Sequence, residues 1–293
     1  MKRAIFAILA IAVLSAPAAI ARDDDFDFAE RLMERKFYDL AKEQFEQIAN
    51  DKQRSPDAQA NGELGLANLL SAQARDTAGI SKSETDAVIA LFKNAEDRYD
   101  MFLSNFPNHP KRVDAKFEVG NLLQALGTFL NGRFEKEPER AEELKKIAEN
   151  AFDQAIDLFG QVAAALEDSE DARDNWYWRR AQFSHATLHY YKGLLYEEGG
   201  AERQGVLTRA SKLINDFVWE NEDNILGGYA YLFWGLTMQA QGEPDEAIEY
   251  LSVSSTNYPV PDPADSPRDY QIWSELFLQS YYKLFELANE VGR

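Results

Sequence analysis

The chain has 293 residues, a formal net charge of −19 and no cysteine. Fifty acidic residues against 31 basic ones make nucleic acid and anionic membrane surfaces poor partners, because binding phosphate needs a cationic face. The missing thiols exclude a disulfide framework, a thiolate metal site, a cysteine nucleophile and a cysteine-linked lipid anchor, and a content of 45% hydrophobic and 12% aromatic residues excludes a wholly disordered chain.

The first 21 residues read as an address. Met1, Lys2 and Arg3 form a short basic end, and Ala4 to Leu14 is an unbroken apolar run. Ser15, Pro17 and the small residues around Ala19 and Ala21 follow, in the pattern that a signal peptidase reads. Cleavage is expected after Ala21, which leaves residues 22–293 as a single domain with no transmembrane anchor. The apolar run falls short of the roughly 20 residues that span a bilayer. Removing Lys2 and Arg3 takes the net charge from −19 to −21. The exported product has no cysteine and no Asn-x-Ser/Thr acceptor, which points to a bacterial periplasm.

From Phe26 onward, apolar residues recur every three or four positions, as in Phe152, Ile156, Phe159 and Val162. That is the period of a helix, not of a strand. Breaks fall at Pro56, Pro107, Pro110, Asn131-Gly132, Pro138, Gly199-Gly200, Gly242 with Pro244, and the prolines from 259 to 267. Ten to twelve helices are expected, in pairs near 26–50, 57–107, 111–166, 174–220 and 225–259. A last helix near 266–291 is expected to cap the final pair.

One template recurs five times. An alanine is followed four residues later by a large apolar residue and three later by a third position. The copies are Ala41/Phe45/Ile48, Ala95/Tyr99/Phe102, Ala155/Phe159/Val162, Ala210/Ile214/Phe217 and Ala247/Leu251/Ser254. A small side chain lets two helices approach closely, and the residues four and seven later cover the partner. Pro107 and Pro259 then stop the second helix. A first-helix element with a small residue precedes most copies, at Ala29, Gly65, Gly120, Gly193 and Gly235.

Tyr231, Trp234, Gly235, Met238, Gly242, Ala247, Leu251 and Pro259 fall at the spacings of the tetratricopeptide repeat, and the chain resembles that family. The stretch Tyr99 to Pro110 resembles repeats of exported bacterial proteins that act in cell division and outer-membrane assembly. The resemblance implies an all-α, irregular α-solenoid of about five antiparallel pairs plus a cap. The separation from small residue to alanine is 12 in the first and last pairs but 30, 35 and 17 between them. Inserted material is therefore expected near 73–83 and 131–143.

Enzyme constellations are weak. His185 and His189 share a helical face at a zinc-compatible spacing, but Ala186 stands where a zinc protease has glutamate, and no third ligand is near in sequence. The acidic clusters at 23–27 and 167–171 lack the glycine turn and closing glutamate of a calcium loop. No cofactor and no metal is expected. A helical-solenoid enzyme remains the lesser alternative, requiring a recessed carboxylate pair.

The aromatic runs are more telling. Trp176, Tyr177 and Trp178 are consecutive, so a helix cannot turn all three into one core. The family resemblance implies a groove lined by first-helix residues on either side of the glycine. By position these are Tyr190, Leu194 and Glu197 around Gly193, and Tyr229, Leu232, Leu236 and Gln239 around Gly235. Trp176, Trp178 and Arg179 lie close in sequence, with Arg180 and Lys192 as further cations for a peptide carboxylate. The expected function is a non-catalytic scaffold that binds a protein or peptide of the cell envelope. The alternative is glycan binding, with sugar rings stacked on Trp176 or Trp178.

Overall fold

A computed structural model describes residues 21–80 and 83–292. Apart from Ala21, the expected leader lies outside the described residues. Those residues are all-helical, with no strand among them. Eleven helices follow in chain order: α1 (Ala21–Glu34), α2 (Tyr38–Asn50), α3 (Pro56–Ala78), α4 (Thr85–Asn105), α5 (Arg112–Asn131), α6 (Ala141–Leu166), α7 (Ala172–Gly193), α8 (Ala201–Asn221), α9 (Ile225–Gln241), α10 (Pro244–Thr256) and α11 (Pro267–Glu290). None of them is long and apolar enough to cross a membrane.

Local chemistry sets the ends. Pro56, Pro244 and Pro267 each open a helix, where a missing N–H costs nothing. Asp171 caps α7 by accepting from the N–H groups of Arg173 and Asp174 at 2.8 and 3.2 Å. Gly242 ends α9 in the left-handed region at φ +85°, a conformation that glycine adopts without penalty. The segment near 73–83 is only partly a loop, since α3 continues as helix through Ala78. The segment near 131–143 is a turn and a short 3-10 helix at Pro138–Arg140 that leads into the 26-residue α6.

The chain divides into two compact units, one ending at Ala115 and the other beginning at Lys116. In the first, α1 packs on α2, α2 on α3 and α3 on α4, and α1 also reaches α3. In the second, Phe159 and Phe152 of α6 close on Gly120 and Gly127 of α5. From there each helix through α11 packs on the next, and α7 also reaches α9, and α9 reaches α11. Contacts of Phe117 with Tyr177 extend that alternate pattern to α5 and α7.

The recurring template forms the core. All five alanines, together with Phe45, Tyr99, Phe159, Ile214 and Leu251, are completely buried. The third positions, Ile48, Phe102, Val162, Phe217 and Ser254, are buried as well. The glycines mark the closest approaches. A Cβ placed on Gly235 would lie 2.6 Å from Leu251 Cγ and 3.1 Å from the carbonyl oxygen of Ala247. The tyrosine of the second copy keeps its hydroxyl satisfied inside the core by donating to Asn68 Oδ1 at 2.8 Å.

Candidate functional site

Helix α7 carries an aromatic stripe in the second unit. Trp176, Arg180, Phe183, Thr187, Tyr190 and Leu194 recur at intervals of three and four, so they lie along one face. From end to end the stripe covers about 27 Å at 1.5 Å per residue. Its first turns are polar and partly open. Trp176 is 49% exposed and stands perpendicular to Tyr177 at 4.9 Å. The Arg180 guanidinium lies over the Trp176 ring at 4.6 Å and over Phe117 at 5.3 Å. Burial lowers its affinity for a proton, and Glu118 is the facing carboxylate that opposes this. A stacked, partly dehydrated cation of this kind is well suited to a carboxylate.

The middle of the stripe meets α9. Phe233 sits against Phe183 at 5.8 Å, Tyr190 at 5.8 Å and Tyr191 at 5.6 Å. Burial pushes the Tyr190 hydroxyl up to about 12 and raises that of Tyr191 in the same direction. Both are therefore neutral hydrogen-bonding groups across the physiological range. All four rings remain partly exposed along the seam between the two helices.

The other expected residues are distributed differently. Trp178 and Arg179 are half-buried, and Arg179 Nε has no hydrogen-bond partner. Leu194 is partly buried just beyond the end of α7, and Glu197 is exposed. Tyr229 is partly covered by the last helix, where its hydroxyl faces the Ile272 carbonyl oxygen at 3.5 Å. Leu236 is half-buried against the α9–α11 core, and Gln239 is half-buried near the α9 terminus. Leu232 is a correction: at 3% exposure it belongs to the core with Leu251 and Leu276 and cannot line a surface. Its position on α9 faces the core shared with α10 and α11.

Lys192 also differs from expectation. Its ammonium is held by Asp153 of α6 at 2.6 Å, with Glu149 at 3.9 Å. The cation on the stripe is Arg180 instead. Phe183, Tyr191 and Phe233 complete the aromatic group. Phe183 sits seven residues before Tyr190, which is the signal that could have found it.

A separate cavity of about 280 Å³ opens between α6 and α8 over the floor of α7. Gly160 and Ala163 leave the space, and Gln182, His185, Asp216 and Glu220 give it polar edges. His189 lies beside His185, with the rings perpendicular and 5.6 Å apart. Burial, then Arg209, holds both imidazoles below their usual range, His189 at about 3. Both are neutral near pH 7. Among the described residues no three His, Asp or Glu side chains converge to hold a metal ion. His109 has a structural role, accepting from the Lys111 N–H at 3.2 Å and packing on Phe102.

The chain matches no protein-family model, and no curated protein is significantly similar to it.

Proposed function

We propose that this chain is an exported, non-catalytic scaffold of tetratricopeptide-like helix pairs that binds an extended peptide segment of a cell-envelope protein. Its helix pairs would stack in irregular solenoid fashion within each unit, with α7 and α9 lining the binding face of the second. The observation that carries this reading is the α7 stripe, where the half-exposed Trp176 carries the partly buried Arg180 stacked on it, beside a seam of four partly buried aromatic rings. An aromatic anchor, a dehydrated arginine and neutral tyrosine hydroxyls are the groups that hold peptides in grooves.

The test is a peptide library read against the purified protein, scored by quenching of tryptophan fluorescence. Peptides with an apolar side chain next to an acidic side chain or free carboxylate are expected to be selected. Their affinity is expected to fall at least about tenfold, or 1.4 kcal/mol, in both Trp176→Ala and Arg180→Gln. Binding that both variants leave unchanged would remove the site from α7. The open face of Trp176 also suits a sugar ring, so quenching by cell-wall oligosaccharides but by no peptide would favour glycan binding instead.

A further inference from the structure

Helix α11 has two apolar faces, of which the chain covers one. Trp273, Leu276, Ser280, Leu284 and Leu287 recur at three and four and pack toward α10. Ser280 Oγ sits 2.7 Å from Ser254 Oγ, which donates to the Gly228 carbonyl at 2.8 Å, so three helices meet at that node. The adjoining face carries Tyr270, Phe277, Leu278, Tyr281, Tyr282 and Phe285, all between 37 and 63% exposed. Single exposed apolar residues are ordinary, but a continuous stripe of six large ones is not.

We propose that this outer face of α11 is a two-fold interface with a second copy of the same chain, the two helices lying antiparallel. Three observations select that occupant. First, the stripe is uncharged. In α11 the charged residues Arg268, Asp269, Glu275, Lys283, Glu286 and Glu290 lie off the stripe, and Lys283 and Glu286, paired at 2.9 Å, flank it at Tyr282. The charges at its edge are already paired with each other, so the surface on offer is apolar, and an anionic membrane is repelled by a chain of net charge −19.

Second, the stripe is complementary to itself. Its N-terminal half contains a notch formed by Tyr270, Ser274, Phe277 and Leu278, walled by Val260 and Pro261. Small Ser274 leaves the space. Its C-terminal half presents Tyr281 and Phe285 as projections. A two-fold axis near Leu278 brings each copy's Phe285 over the other's notch, so both notches are filled at once. Third, the size suffices. Six large apolar side chains, each roughly half exposed, offer on the order of 700 Å² per copy, close to the ~800 Å² per partner of a standard stable interface.

Sedimentation of the purified protein tests this. Its mass is expected to rise from one chain to two as concentration increases between about 1 and 100 μM. Phe285→Glu and Tyr281→Glu are each expected to remain monomeric across that range, with unchanged circular dichroism. The chain has no native cysteine, so a thiol at one site reports alone. Leu278→Cys should form a disulfide-linked dimer on mild oxidation, whereas Trp219→Cys, exposed on α8, should not. A wild-type monomer at 100 μM would overturn the proposal, as would a dimer that both glutamate variants leave intact. Growth beyond two copies would indicate head-to-tail stacking, and a monomer that binds vesicles would indicate a lipid-facing helix. Either result would also overturn it.

Discussion

His189 shows how position sets the chemistry of a residue. It is 5% exposed, its Nε2 has no hydrogen-bond partner, and burial and Arg209 hold its pKa at about 3. The folded chain therefore binds the proton more weakly than the unfolded chain, whose imidazole titrates near 6.5. Stability from this residue is complete above about pH 6.5 and is lost as pH falls toward 3. Between pH 7 and pH 5 the expected loss is on the order of 2 kcal/mol. Urea unfolding at both pH values should show it in the wild type. In His189→Leu the difference between the two pH values should shrink by about that amount. An unchanged difference would mean that the imidazole titrates normally. The two histidines thus act through burial, which the spacing of the pair in sequence does not reveal.

At the scale of helices, glycines divide into those that a neighbour requires and those that only weaken the helix. Gly235 lies where Leu251 and the Ala247 carbonyl leave no room for a methyl group. Gly205 is an exposed position inside α8, with nothing within 4 Å of an added Cβ. Gly235→Ala should therefore destabilise by about 1–3 kcal/mol through overpacking. Gly205→Ala should stabilise by about 0.5–1 kcal/mol, because alanine loses less backbone freedom in a helix. Denaturant midpoints of the two variants should move in opposite directions. Movement in the same direction would contradict the packing described for α9 and α10. The alanine template made these crossings readable in advance, since small residues at helical spacing have few other uses. Leu232 was not readable in the same way, because a one-position change in helix register decides between groove and core.

For the whole molecule, charge is the dominant global property. Fifty acids against 31 bases leave a surplus that repels itself in the compact state. Ion pairs recover part of it locally, as at Lys192 with Asp153, but exposed pairs contribute little. Raising sodium chloride from about 10 mM to about 300 mM shortens the screening length several-fold. The melting temperature should rise by roughly 2–4 °C, equivalent to about 1 kcal/mol for a chain of this size. A fall on adding salt would mean that specific ion pairs outweigh the net repulsion. The same screening should favour association through α11, so dimerisation and thermal stability should increase together.

Periodicity and the alanine template were enough to place the helices and their core, because a helix buries the same face every three or four residues whatever surrounds it. Ala41, Phe45, Tyr99, Phe159 and Leu251 are buried for that reason. The consecutive aromatics at 176–178 likewise required one ring to leave the core, and Trp176 does so. Which cation stands beside it was decided by tertiary packing: α6 carboxylates hold Lys192, while α5 brings Phe117 under Arg180. The bare second face of α11 was also settled there. Its sequence is apolar on both sides, and only the docking of one side on α10 leaves the other in water. Spacing along a chain records which residues share a face, but the neighbour that covers that face comes from distant residues, and only folding brings them there.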